Sequence, residues 1–201
     1  MNTTTNTNAT VKLYHFTALM HLPAILREGI RRGEVPVTPY TPPAKLHAAN
    51  LTTNPNPTDQ RCWCRGILNK TKIRLTVEVH SDKLTSFRQV QKKYRMRSKW
   101  VKALDPSYER RHWFFAFGGV SVQQIAKVEI FDDGVYRELA PDELRALVDR
   151  IEEERKRVFR FQLVTSGRRA GHVDPHFKDG HQDSWLLDGE LLLIARLVAA
   201  P

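Results

Sequence analysis

Val11-Lys12-Leu13-Tyr14-His15-Phe16 alternates along a β-rich run, which predicts a first strand, with Thr17 placed to begin a turn. Pro23 suits a first helical turn, Ile25 and Leu26 supply an apolar face, and Gly29 is a natural stop. A short helix is therefore predicted over 23–28. From Gly33 to Pro57 six prolines predict a long irregular loop, interrupted at most by a brief strand at 49–53. Ile73-Arg74-Leu75-Thr76-Val77-Glu78-Val79 is the cleanest alternation in the chain and predicts a strand with one apolar face. Residues 86–104 read as one helix whose special face carries Phe87, Val90, Tyr94, Trp100 and Val101. Two more strands are predicted at 113–117 and 125–131, joined through Gly118-Gly119 and a short helical turn around Val122 and Gln123. Pro141-Asp142-Glu143 opens an amphipathic helix running to about Phe159, with Leu144, Leu147, Val148 and Ile151 on its stripe. For the apolar run 191–198, periodicity does not choose between strand and helix.

This order of elements is mixed α/β. A length of 201 residues suffices for one conventional core, so one domain over 11–201 is expected, preceded by a frayed, Asn/Thr-rich stretch over 1–10. No apolar run reaches membrane-spanning length and the first residues carry no secretory pattern, so a cytoplasmic protein with no membrane partner is expected. Cys62 and Cys64 stand one residue apart, unlike common zinc or redox pairs, and read as free thiols.

Charge changes the picture. The formal net charge is +10, and residues 82–112 alone carry ten Lys/Arg against three acids. A block of this kind points to nucleic acid or another polyanion. Its candidate contacts are Arg88, Lys92, Lys93, Arg95, Arg97, Lys99 and Lys102, with Trp100 as a base-facing aromatic. Trp63, between two cysteines and two arginines, and Tyr94 are further candidate surface aromatics, whereas core packing accounts for Trp113. The run 172–183 holds three histidines and three aspartates without a recognised ligand spacing, and reads as a polar Gly/Pro loop rather than a metal site.

Leu13-Tyr14-His15-Phe16-Thr17 followed by Leu22-Pro23-Ala24-Ile25-Leu26-Arg27-Glu28-Gly29-Ile30 resembles the opening of the ADP-ribosyltransferase superfamily, in particular its DarT-like, DNA-modifying branch. The resemblance covers residues 11 to about 60, and the later strands only by order and type. It implies a mixed α/β fold of the ADP-ribosyltransferase type, with a split, mainly antiparallel sheet and peripheral helices. It also implies NAD as cofactor, with His15 and Thr17 at the ribose and Thr52 and Thr53 on a short hydroxyl-bearing strand beside the nicotinamide. The activity implied is glycosyl transfer of ADP-ribose, most naturally to nucleic acid and above all DNA, of the kind found in toxin, phage and defence systems. Such transfer passes through an oxocarbenium-like state and needs a carboxylate near the ribose. Glu129, in Lys127-Val128-Glu129-Ile130-Phe131, is the first candidate because the family's glutamate lies on a late strand, and Glu78 is its rival. Arg61 and Arg65 are favoured for the phosphates, ahead of Arg27, Arg31 and Arg32.

Three other readings stay open. One is a module of the same fold without catalysis that binds nucleic acid or a nucleotide. Another is an NAD-dependent RNA 2′-phosphotransferase-like enzyme. The third is a cationic regulatory protein that binds an acidic partner protein.

Overall fold

A computed structural model describes residues 9–38, 46–56 and 69–166, and their side chains up to 156. The chain divides into two compact units, one comprising Met1–Arg65 with Asn69–Leu139 and the other Gly66–Leu68 with Ala140–Pro201. Arg61, Arg65, Trp63, both cysteines, the 172–183 run and the 191–198 run lie outside the described residues.

The first unit is built on a seven-stranded sheet. Its strands are β1 (Thr10–Thr17), β2 (Ala49–Thr52), β3 (Ile73–His80), β4 (Thr85–Ser86), β5 (Trp113–Ala116), β6 (Ile125–Asp132) and β7 (Val135–Glu138). Their order across the sheet is β4-β5-β2-β1-β3-β6-β7, with every pairing antiparallel. The mixed α/β class expected from the order of elements is present, and its sheet is antiparallel. The central strand β1 pairs with β3 at eight register positions, from Thr10↔His80 to Thr17↔Ile73, but with β2 only at Tyr14↔Thr52. The sheet therefore has a seam between β1 and β2.

Among the described residues three short helices accompany this sheet: α1 (Leu22–Glu28), α2 (Phe87–Lys93) and α3 (Ser98–Leu104). Helix α1 starts with proline in its first turn and ends at Gly29, whose φ is 80°. A Cβ at Gly29 would stand 2.2 Å from the Val120 carbonyl oxygen. That approach is used: Ile30 N–H donates to Val120 O at 2.8 Å and Val120 N–H returns the bond to Ile30 O at 3.0 Å. The exit of α1 is thereby tied to the loop after β5.

The single helix expected over 86–104 is instead two helices. A capping box at Ser86 and Gln89 starts α2, Arg95 takes a left-handed backbone (φ 49°), and the extended Arg97 opens α3. The physical reason lies in Met96. In one continuous helix Met96 would point away from Phe87, Val90 and Val101 at about 100° per residue. The break turns it inward, into one buried cluster with those three residues, Trp113 and Phe115. Burying such a side chain is worth about 1.5–3 kcal/mol, enough to offset local backbone strain of about 1–3 kcal/mol.

Strand β7 completes the far edge through an Asp133-Gly134 turn with positive φ at both residues, as a two-residue hairpin requires. In the second unit, helix α4 (Pro141–Ser166) extends beyond the predicted stop. Leu147 and Ile151 on its stripe are buried. No described helix is long and apolar enough to cross a membrane.

Replacing Gly29 with alanine is expected to lower stability by about 2 kcal/mol or more, since both the positive φ and the contact with Val120 oppose a side chain. Urea unfolding of G29A against the parent measures this, and an unchanged midpoint would contradict the bridge described above.

Candidate functional site

His15 sits near the end of β1 at the seam. Its Nδ1 lies 2.8 Å from the Asn50 carbonyl oxygen on β2. Because a carbonyl only accepts, Nδ1 carries the hydrogen and Nε2 is left as a bare acceptor, without a partner among the described residues. The residue as a whole is only partly buried, yet desolvation is the largest cause pulling its pKa from 6.5 to about 4. The bond to Asn50 opposes this, and the charges of His21 and Lys70 add to it. At neutral pH the imidazole is therefore uncharged, with a fixed tautomer and one lone pair to offer a hydroxyl donor. Thr17, two residues on and on the same face of β1, is buried. Beside His15, the Asn50 amide donates to Glu34 O at 3.1 Å while its buried Oδ1 has no hydrogen-bond partner.

The hydroxyl-bearing strand is present. Thr52 is buried and its Oγ1 accepts from Asn54 N–H at 3.1 Å, forming a short turn. Thr53 bonds instead to His112, side chain to side chain at 2.8 Å, and its N–H donates to His112 O. Arg111 Nε donates to His112 Nε2 at 3.0 Å, so His112 in turn donates from Nδ1 to the Thr53 hydroxyl. Next to it, Asn54 Nδ2 donates to Glu109 Oε2 at 2.8 Å, while Glu109 Oε1 has no partner among the described residues.

Glu109 opens a short 3-10 turn, Glu109–His112, that leads into β5. The buried carboxylate of Asp105 holds that turn by accepting from the backbone N–H of Glu109 and Arg110, each at 2.9 Å, and from Arg110 Nη1 at 3.2 Å. Glu109, His112 and Asn54 were not among the sequence-based candidates. An acid four residues ahead of a strand gives no local signal, and only the β2–β5 pairing brings it to Asn54.

Glu129 is placed differently from its expected role. On β3 and β6 the row His15↔Leu75↔Val128 alternates with the row Phe16↔Arg74↔Glu129, so His15 and Glu129 project from opposite faces of the sheet. Both Glu129 oxygens bind Arg74, through Nε and Nη2 at 2.8 Å each, and Thr76 Oγ1 lies 3.4 Å from Oε2. Arg74 also donates to Pro55 O at 2.9 Å, and its guanidinium lies 4.1 Å from the Tyr136 ring centroid and 5.4 Å from that of Tyr14. The Arg74 hydrogen bonds hold the Glu129 pKa below its usual value. This geometry makes the pair a structural clamp. Glu78, the rival carboxylate, is exposed opposite Lys12 on the same face as Glu129.

Arg88, Lys92, Lys93, Arg95, Arg97, Lys99 and Lys102 are all exposed, with no ion-pair partner among the described residues. Trp100 does not join them as a stacking platform. Its indole N–H donates to Pro36 O at 2.9 Å and its ring packs against the Phe87 cluster. The exposed aromatics near the basic block are Tyr94, Tyr108 and Phe117, with Lys93 close to two of these rings. Of the phosphate candidates described, Arg27 meets Glu28 and Arg31 donates to Glu28 O.

Two pH and charge effects follow. His15 has a folded pKa below its unfolded one, so its contribution is fully present above about pH 6.5 and is lost as pH falls from there towards 4. The loss, on the order of 2 kcal/mol, is expected in urea titrations of the parent and should shrink in His15→Asn. For Glu129, whose folded pKa is lowered, the contribution is present above the unfolded carboxylate range and is lost as pH falls through the folded value. Glu129→Gln is expected to cost about 2 kcal/mol at pH 7, checked by thermal or urea midpoint, with little effect if the clamp does not hold.

No family model matches the chain, and no curated protein or solved structure matches it.

Proposed function

We propose that this protein binds NAD at the β1–β2 seam and transfers ADP-ribose to nucleic acid, with DNA the favoured acceptor. The observation that carries the reading is the uncharged, tautomer-locked His15, whose free Nε2 suits a ribose hydroxyl. The sequence resemblance and the buried Thr17 support the same site, and the exposed lysines and arginines of 88–102 suit a phosphate backbone. In transfer, the C1′–nicotinamide bond breaks with its electron pair leaving on nicotinamide. The acceptor's lone pair then forms the new bond to C1′, and its proton passes to a carboxylate or to water. Glu109 is the candidate we put forward for that carboxylate, because one of its oxygens is held by Asn54 and the other has no partner among the described residues, whereas both Glu129 oxygens are taken up by Arg74.

A second reading has its own observation. Glu129 is locked on the sheet face opposite His15, which favours a module of this fold that holds a nucleotide or nucleic acid without turnover.

Incubation with NAD labelled in its adenylate phosphate, followed by analysis of single-stranded DNA, duplex DNA, RNA and protein, tests the proposal. Label on a nucleic acid, lost in His15→Ala and Glu109→Gln but retained in Glu129→Gln, is the expected result. NAD binding without label on any acceptor would leave the binding module, and no NAD binding would overturn both NAD readings. Nucleic-acid affinity is expected to fall with salt, and Lys92→Ala with Lys93→Ala should reduce the log–log slope by about two if each contacts one phosphate.

A further inference from the structure

A cleft of about 880 Å³ lies away from His15, between the end of β3 and the loop after β5. Its volume falls within the range of small-molecule sites, roughly 300–1,000 Å³. Among the residues lining it are Phe117, Gly118-Gly119, Glu78, Lys83, His80 and Gln123. The Gln124 amide donates to Glu78 O at 3.3 Å and its oxygen accepts from Ser121 N–H at 2.9 Å, fixing one wall.

Each part of this lining favours a particular piece of a ligand. Phe117 is 37 % exposed, so it offers an aromatic surface for stacking, and Lys93 Nζ is 5.9 Å from its centroid. Glu78 and Lys83 have no ion-pair or hydrogen-bond partner for their side chains among the described residues. A carboxylate accepts from ring N–H and amino groups, and a neighbouring amide can both donate and accept, which together suit the edge of a heterocycle. Ammonium groups at Lys83 and Lys93 supply charge for a phosphate attached to that heterocycle. An aliphatic acid would leave Phe117 unused, and a neutral aromatic would leave the lysines unused.

We propose that this cleft is a second site, which takes a nucleobase bearing a phosphate, stacked on Phe117 with its edge at Glu78 and Gln123. The same chemistry is presented by a free mononucleotide and by an unpaired base within a nucleic-acid strand. The site does not depend on NAD turnover, because none of its residues belongs to the His15 corner.

Binding by the whole protein would be measured with AMP, GMP, CMP and UMP by calorimetry, and with short fluorescent single-stranded and duplex oligonucleotides by anisotropy. Phe117→Ala, Glu78→Gln and His15→Ala are compared with the parent, with thermal melting confirming that each exposed-residue variant is folded. The expected result is a loss of about tenfold or more in Phe117→Ala and an altered order of base preference in Glu78→Gln. Sensitivity to Phe117 in the mononucleotide arm identifies a free nucleotide as the ligand, and in the single-strand arm alone it identifies a strand. Affinity lost in His15→Ala but kept in Phe117→Ala would assign binding to the NAD corner and overturn the proposal. Absence of binding in both arms, or equal affinity in parent and Phe117→Ala, would also overturn it. Failure of NAD binding with the Phe117-dependent binding intact would sink only the function proposed for the seam.

Discussion

Strand β1 is bonded along its whole length to β3 but meets β2 at one register position, and much of the molecule's chemistry is arranged around that imbalance. A sheet that is continuous on one side of its central strand and nearly unzipped on the other leaves backbone groups that something else must satisfy. The His15 ring does part of this by donating across the seam to Asn50. The same act fixes the imidazole tautomer, so a requirement of sheet construction produces a defined acceptor atom.

On the two sides of the seam, polar residues are managed in different ways. Towards β6 and β7, Arg74 is enclosed by Glu129, two tyrosine rings and the Pro55 carbonyl, and each of its three guanidinium nitrogens donates a hydrogen bond. Towards β5, both ring nitrogens of His112 are bonded, to Thr53 and Arg111, while Glu109 has one carboxylate oxygen held by Asn54 and the other without a partner among the described residues. Fully saturated polar groups rigidify a fold, and partly saturated ones can receive a ligand.

Much of this was legible in the chain. The alternation in 11–16 and 73–79, the Pro23 start and the Gly29 stop each dictate local geometry, and each appears where expected. The Asp133-Gly134 turn and β7 were not anticipated, although those two residue types are what a tight hairpin needs. The break in 86–104 was not anticipated either. Its local pattern continues through Arg95, and only the pull of the Phe87 cluster on Met96 ends the helix. Nor could the sequence reveal that His15 and Glu129 face apart, since strand order gives a residue's neighbours while only register gives its face. Glu109 reaches Asn54 across 55 residues of chain, a pairing no local pattern encodes.

The Arg74 clamp also bears on how the molecule folds. It joins groups at positions 14, 55, 74, 129 and 136, so it closes only after β1, β3, β6 and β7 have found their registers. Contacts of such long sequence separation are entropically costly to form early, and they belong to the downhill side of the folding barrier. The clamp therefore acts as a latch: it contributes little to how quickly the chain finds its fold and much to how slowly the finished sheet comes apart.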